Sequence, residues 1–135
     1  MSVSNTRSKP IRILVLIARL LLGLLFFVFG LNGFIHFIPQ PKTPMPDFIV
    51  ALINTHYMIQ LISGTQLLTG ILLLSGVFVP FALVLIAPVI VNIICFHIFL
   101  APASIGPGAV ALLLEIFLVI AYRRAFAPMF SGQRR

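Results

Sequence analysis

The sequence predicts an all-α, polytopic membrane protein: an antiparallel bundle of four transmembrane helices with both termini in the cytoplasm. Three observations carry that prediction. Of 135 residues, 61% are apolar and only 8% are charged, against roughly 25% charged in an ordinary soluble domain, and the mean hydropathy is +1.20. The apolar residues are gathered into runs of the length a bilayer needs, about 20 residues of helix. The basic residues flank the first and last of these runs rather than forming a patch.

Span one is read as Ile13 to Ile38, following a basic segment, residues 1–12, that holds Arg7, Lys9 and Arg12. Its apolar run is about 25 residues, longer than the roughly 7 to 15 of a signal-peptide h-region, and no small-x-small cleavage site follows it, so it is expected to stay in the protein. The Pro-rich "PQPKTPMPD" (39–47) ends it, because proline cannot continue a helix. A short interfacial piece, Asp47 to Ile53, precedes span two, His56 to Leu74. "SGVFVP" (75–80) is a tight turn into span three, Pro80 to Leu100, which contains Pro88. "APASIGPG" (101–108) breaks the chain again before span four, Pro107 to Tyr122. Connections this short make sequential spans antiparallel. Residues 13–122 form one transmembrane domain, and 123–135 form a basic tail.

The net charge of +7 does not indicate nucleic-acid binding. Arg7, Lys9 and Arg12 precede span one, and Arg123, Arg124, Arg134 and Arg135 follow span four, whereas the two loops on the other side hold only Lys42 and Asp47. This is the positive-inside pattern, which places both termini in the cytoplasm; the membrane itself is expected to be a bacterial-type plasma (inner) membrane. The tail charges also suit anionic lipid headgroups. One cysteine, Cys95, leaves no internal disulfide and no CxxC redox pair.

Two charges fall inside the apolar runs, Arg19 and Glu115. Counted from the inner ends of spans one and four, each lies about seven residues deep, or roughly 10 Å. Opposite charges in one layer are expected to form an ion pair, since a lone arginine or carboxylate near the bilayer centre costs about 2.5 to 3.5 kcal/mol. Gln66, about nine residues from the inner end of span two, is expected to join them through its amide. The pattern Gly23, Phe26, Gly30, Gly33 and Phe37 shares the Arg19 face of span one, and glycines there permit a close helix–helix approach. In span four, Gly108, Ala111, Glu115 and Tyr122 share one face.

A second polar group lies toward the outer side: Asn32, His36, His56, Gln60, Asn92 and His97. Three histidines near one depth raise the question of a metal or haem. No pair sits at i, i+3 or i+4, and no carboxylate supports them, so neither a metal nor a haem is expected. Helical geometry also keeps the six from pointing at one centre unless a helix kinks or another subunit contributes. Phe26, Phe27, Phe29, Phe34 and Phe37 are rings that could face a quinone, although packing explains them as well.

"ARLLLGLLFFVFGLNGFIHF" (18–37) resembles the opening of the DoxX-like family of small four-helix membrane proteins, which carries an arginine early in span one. "QLLTGILLLSG" (66–76) resembles the family's second-span motif, and the Asn and His of "NIICFHIFLAP" (92–102) resemble its third. The resemblance runs from about residue 12 to 124. It departs at Gln66, where the family often has glutamate, and at Gly33, where it often has lysine; the membrane carboxylate here is Glu115. The resemblance implies the four-helix fold and a link to membrane redox complexes, since relatives include a subunit of a thiosulfate:quinone oxidoreductase.

Three functional readings follow. The chain is an accessory or scaffold subunit of a membrane assembly, a redox one being among the candidates; or a quinone-handling oxidoreductase that binds the head group with Arg19, Gln66 and Glu115; or a small transporter. Quinone is the one cofactor the residues invite. The expected partners are the lipid bilayer and a membrane protein or a second copy of the chain.

Overall fold

The computed structural model describes residues 8–37 and 44–130. Among them every regular element is helical: α1 (Lys9–Ile35), α2 (Asp47–Asn54), α3 (Met58–Ser75), α4 (Val79–Phe99), α5 (Gly106–Ala121) and a short α6 (Arg123–Phe126). One 3-10 turn, Pro102–Ser104, leads into α5, and a second, Ala127–Phe130, follows α6.

Each boundary has a local cause. Ser8 stands at the N-cap of α1 with Pro10 in its first turn, where a missing N–H is harmless, so the helix begins four residues before the uninterrupted apolar run. His36 closes it in the left-handed conformation (φ 60°), its N–H donating to the Asn32 carbonyl at 2.7 Å. Asp47 occupies the first turn of α2, where the helix dipole favours an anion. Gly76 ends α3 at φ 77°, its N–H donating to the Leu72 carbonyl at 3.0 Å; a Cβ there would be strained. α4 runs through Pro88 and stays helical on both sides of it.

α1 packs most extensively against α3, α3 against α4, α4 against α5, and α5 closes back on α1. α2 lies against α3 outside this ring. The buried centre is apolar and comes from all four long helices: Leu22 and Phe26, Leu73, Leu83, Ile86 and Ile90, and Leu118. Outward-facing side chains are also apolar, for example Leu14, Leu24, Phe81, Val91 and Leu113. An apolar exterior of this extent suits lipid rather than water.

Three helices, α1, α3 and α4, are long and apolar enough to cross a membrane. α5 is apolar but has 16 residues, about 24 Å of helix, short of the roughly 30 Å hydrocarbon core. Its length separates it from the other three and from the expectation of four full spans.

The α1–α3 seam is the tightest in the molecule. A Cβ built on Gly30 would sit 2.8 Å from Leu67 Cα, and one on Gly70 would sit 2.7 Å from Phe27 Cα. Gly23 meets Leu73, and Gly33 meets Ser63. Apolar side chains gain little by leaving lipid for each other, so close van der Waals contact of this kind holds membrane helices together. The glycine pattern expected on span one therefore forms a helix contact, with Gly23, Phe26 and Gly30 buried, while Phe37 at its far end is exposed.

Candidate functional site

The α1–α3 contacts fix an antiparallel register: Arg19 opposite Gly76, Gly23 opposite Leu73, Gly30 opposite Leu67 and Gly33 opposite Ser63. This register sorts the polar residues by level, and the sorting differs from counting along each span separately.

Arg19 is half-buried near the end of the bundle that carries the α3–α4 turn. Its guanidinium lies over Gly76, with Nη1 2.9 Å and Cζ 3.2 Å from the position a Gly76 Cβ would take. That is the C-terminal end of α3, where the last carbonyls carry partial negative charge and attract a cation. Gly76 thus serves two purposes, the left-handed cap and the space for the guanidinium.

Glu115 is 6% exposed and lies on the face of α5 that also buries Gly108, Ala111 and Leu118. Its Oε1 is buried without a hydrogen-bond partner, as are Arg19 Nε and Thr69 Oγ1. Among the described residues no ion pair joins Arg19 to Glu115. The pair expected from depth counting is not formed because the guanidinium follows α1 down to the α3 terminus, while Glu115 points into the bundle from α5.

Gln66 is not in the Arg19 layer either. It is adjacent to Leu67, which faces Gly30, and Gly30 lies eleven residues beyond Arg19, about 16 Å along the helix. Its half-buried side chain instead lines a pocket of about 370 Å³. Leu25, Phe26 and Phe29 of α1, Ile93 and His97 of α4, and Gly108 and Ala111 of α5 form the other walls, with Ser104 and Pro107 at the loop end. All four long helices contribute. Gly108 makes the close α4–α5 approach there, since a Cβ on it would sit 3.0 Å from Ile93 Cγ2 and 3.5 Å from His97 Nδ1.

The three histidines of the polar group read as outer do not come together. His36, His56, Gln60 and Asn92 are exposed, and Asn32 is half-buried. His36 and His56 both occupy left-handed backbone positions at helix ends (φ 60° and 67°). His97 is half-buried, with Nδ1 2.8 Å from the Ile93 carbonyl oxygen and its ring edge-on to Phe96. Among the described residues no three of His, Cys, Asp or Glu come together in a group that could hold a metal ion. Cys95 is exposed.

The site that emerges joins Gln66, assigned by counting to the inner layer, with His97, assigned to the outer one. Phe26 and Phe29 are the two rings of the aromatic group that reach it. Leu25 and Ile93 carried no sequence signal of their own, and Ser104 and Pro107 read only as parts of the breaker cluster 101–108. The readable clue was the small residue Gly108 beside a breaker cluster, which lets α5 approach His97. Thr69 was also missed, because a threonine amid leucines reads as filler. The chain matches no protein-family model, no curated protein and no solved structure.

Proposed function

We propose that the chain is a DoxX-like integral protein of a bacterial-type plasma membrane, with α1, α3, α4 and α5 as its four spans and both termini cytoplasmic. In this reading it is a small accessory subunit of a membrane assembly, redox in kind, and holds an apolar ligand for that assembly. The pocket lined by Gln66 and His97 is the observation that carries it. Its walls are apolar and aromatic with a few polar side chains among them, Gln66, His97 and Ser104, and such concavity is the usual form of a small-molecule site.

A quinone oxidoreductase is the second reading, favoured by Phe26, Phe29 and the Gln66 amide in one cavity. Its head-group residues are then Gln66 and His97, since Arg19 lies about 16 Å from the Gln66 level. The transporter reading has no observation of this kind behind it.

Gentle solubilisation followed by mass spectrometry of co-purifying proteins and lipids, with an absorption spectrum of the same sample, separates the readings. An accessory subunit brings a specific membrane protein with it and has no turnover alone. A quinone enzyme brings quinone and reduces or oxidises it unaided. A sample with neither partner nor small molecule contradicts both.

A further inference from the structure

Resting on the pocket as a ligand site, we propose that its occupant is held through a hydroxyl: the pocket takes a phenol-like molecule, an apolar ring whose O–H donates to His97 Nε2.

The reasoning begins at the other nitrogen of the ring. His97 Nδ1 lies 2.8 Å from the Ile93 carbonyl oxygen. A carbonyl oxygen can only accept, so Nδ1 carries the proton. Neutral imidazole has one N–H, which leaves Nε2 as a bare lone pair, an acceptor seeking a donor. Nε2 has no hydrogen-bond partner among the described residues and is not one of the polar atoms sealed inside the protein.

The remaining polar groups of the pocket narrow the ligand further. Ser104 donates its hydroxyl to the Ala101 carbonyl at 3.3 Å and is already engaged. Gln66 has no partner among the described residues and offers an amide N–H₂ and a carbonyl. A ligand hydroxyl can answer either free group, giving its proton to Nε2 or accepting from the Gln66 amide. A ligand bearing only a carbonyl or an ether oxygen answers Gln66 and leaves Nε2 unpaired in an apolar site. The walls contributed by Leu25, Phe26, Phe29, Ile93 and Pro107 select an apolar body for the rest of the molecule.

A matched pair of probes tests this: 4-hexylphenol and 4-hexylanisole, which differ in the methyl group that removes the donor. Each is titrated calorimetrically into the full chain in lipid nanodiscs, with empty nanodiscs subtracted for partitioning. The phenol is expected to bind about tenfold tighter, the scale of one hydrogen bond whose loss strands an acceptor. His97→Phe should bring the ratio near one, and His97→Gln, which retains an acceptor, should restore part of the preference. If neither probe binds, the pocket reading falls and this inference with it. If both bind equally, or the anisole binds better, the pocket stands as a ligand site and the hydroxyl assignment is overturned. A preference that survives His97→Phe also overturns it. Should that variant not fold, the nitrogen NMR signal of Nε2 in the wild-type protein decides: it shifts on adding the phenol and not the anisole, and the absence of that difference refutes the proposal.

Discussion

Gly70→Ala isolates the contact that holds the bundle. A Cβ at this position would lie 2.7 Å from Phe27 Cα and 2.8 Å from the Gly23 carbonyl oxygen. The nearest atom is Phe27 N, at 2.5 Å, and ordinary contact begins at 3.4 Å, so α1 and α3 must part by about 0.9 Å. The obstacles are backbone atoms, which cannot rotate away. Overpacking of this kind costs about 1–3 kcal/mol. Alanine also gains about 1 kcal/mol over glycine in helix propensity, which blurs the reading of a single variant. Gly64→Ala is the control: it lies in the same helix, and the nearest atom to its built Cβ is Phe34 Cζ at 3.9 Å, an ordinary contact. The propensity gain is common to both variants and cancels in the comparison. Equilibrium unfolding by SDS titration in mixed micelles should therefore find Gly70→Ala less stable than Gly64→Ala by about 1–3 kcal/mol, with Gly64→Ala at or above wild type. Equal stabilities would refute the close-packed seam.

Other substitutions probe the charges and the topology. Glu115→Leu removes a buried carboxylate oxygen that has no partner, so it should stabilise the protein by about 1–3 kcal/mol; a loss of stability in the same titration would reveal a partner for Glu115. Arg19→Leu should destabilise by roughly 0.3–1 kcal/mol, the size of a cation at a helix C-terminus. The double variant Arg19→Leu/Glu115→Leu should equal the sum of the two within about 0.5 kcal/mol, and a larger coupling would show that the two side chains meet. Gly76→Ala forces a left-handed alanine at φ 77° beneath the guanidinium and should cost about 1–2 kcal/mol; no change in the unfolding midpoint would count against that cap. For the proposed topology, alkaline phosphatase fused after Ser104 should be active and a fluorescent protein fused at the C-terminus should fluoresce, and the reverse pattern would overturn the orientation.

The helices were readable because the signals for them are local. Gly76 and the breaker cluster 101–108 set the ends of α3, α4 and α5 to within one or two residues of the apolar runs. α1 starts earlier, after Ser8 and with Pro10 in its first turn, a local signal that hydropathy alone overlooks. The site was harder to read because it depends on how the helices are offset. Counting depth from the inner end of each span assumes that all spans end level. The seam register shows otherwise: Gln66 belongs with the Gly30 turn and shares a pocket with His97, whereas Arg19 belongs with Gly76. Side-chain direction was equally hidden. A long arginine reaches toward the α3 terminus, a course that helix periodicity does not encode. The glycine pattern of span one was legible because its geometry depends only on residue spacing, and Gly23, Gly30 and Gly33 all meet α3.

Native mass spectrometry of the protein released from gently solubilised membranes bears most directly on the pocket as a ligand site. Wild-type protein should carry a small apolar molecule, and Ala111→Leu, which projects a larger side chain from a buried wall of the pocket, should emerge without it while remaining folded. A wild-type chain that emerges bare, or an Ala111→Leu chain that carries the same molecule in the same proportion, would contradict a ligand seated between Gln66 and His97.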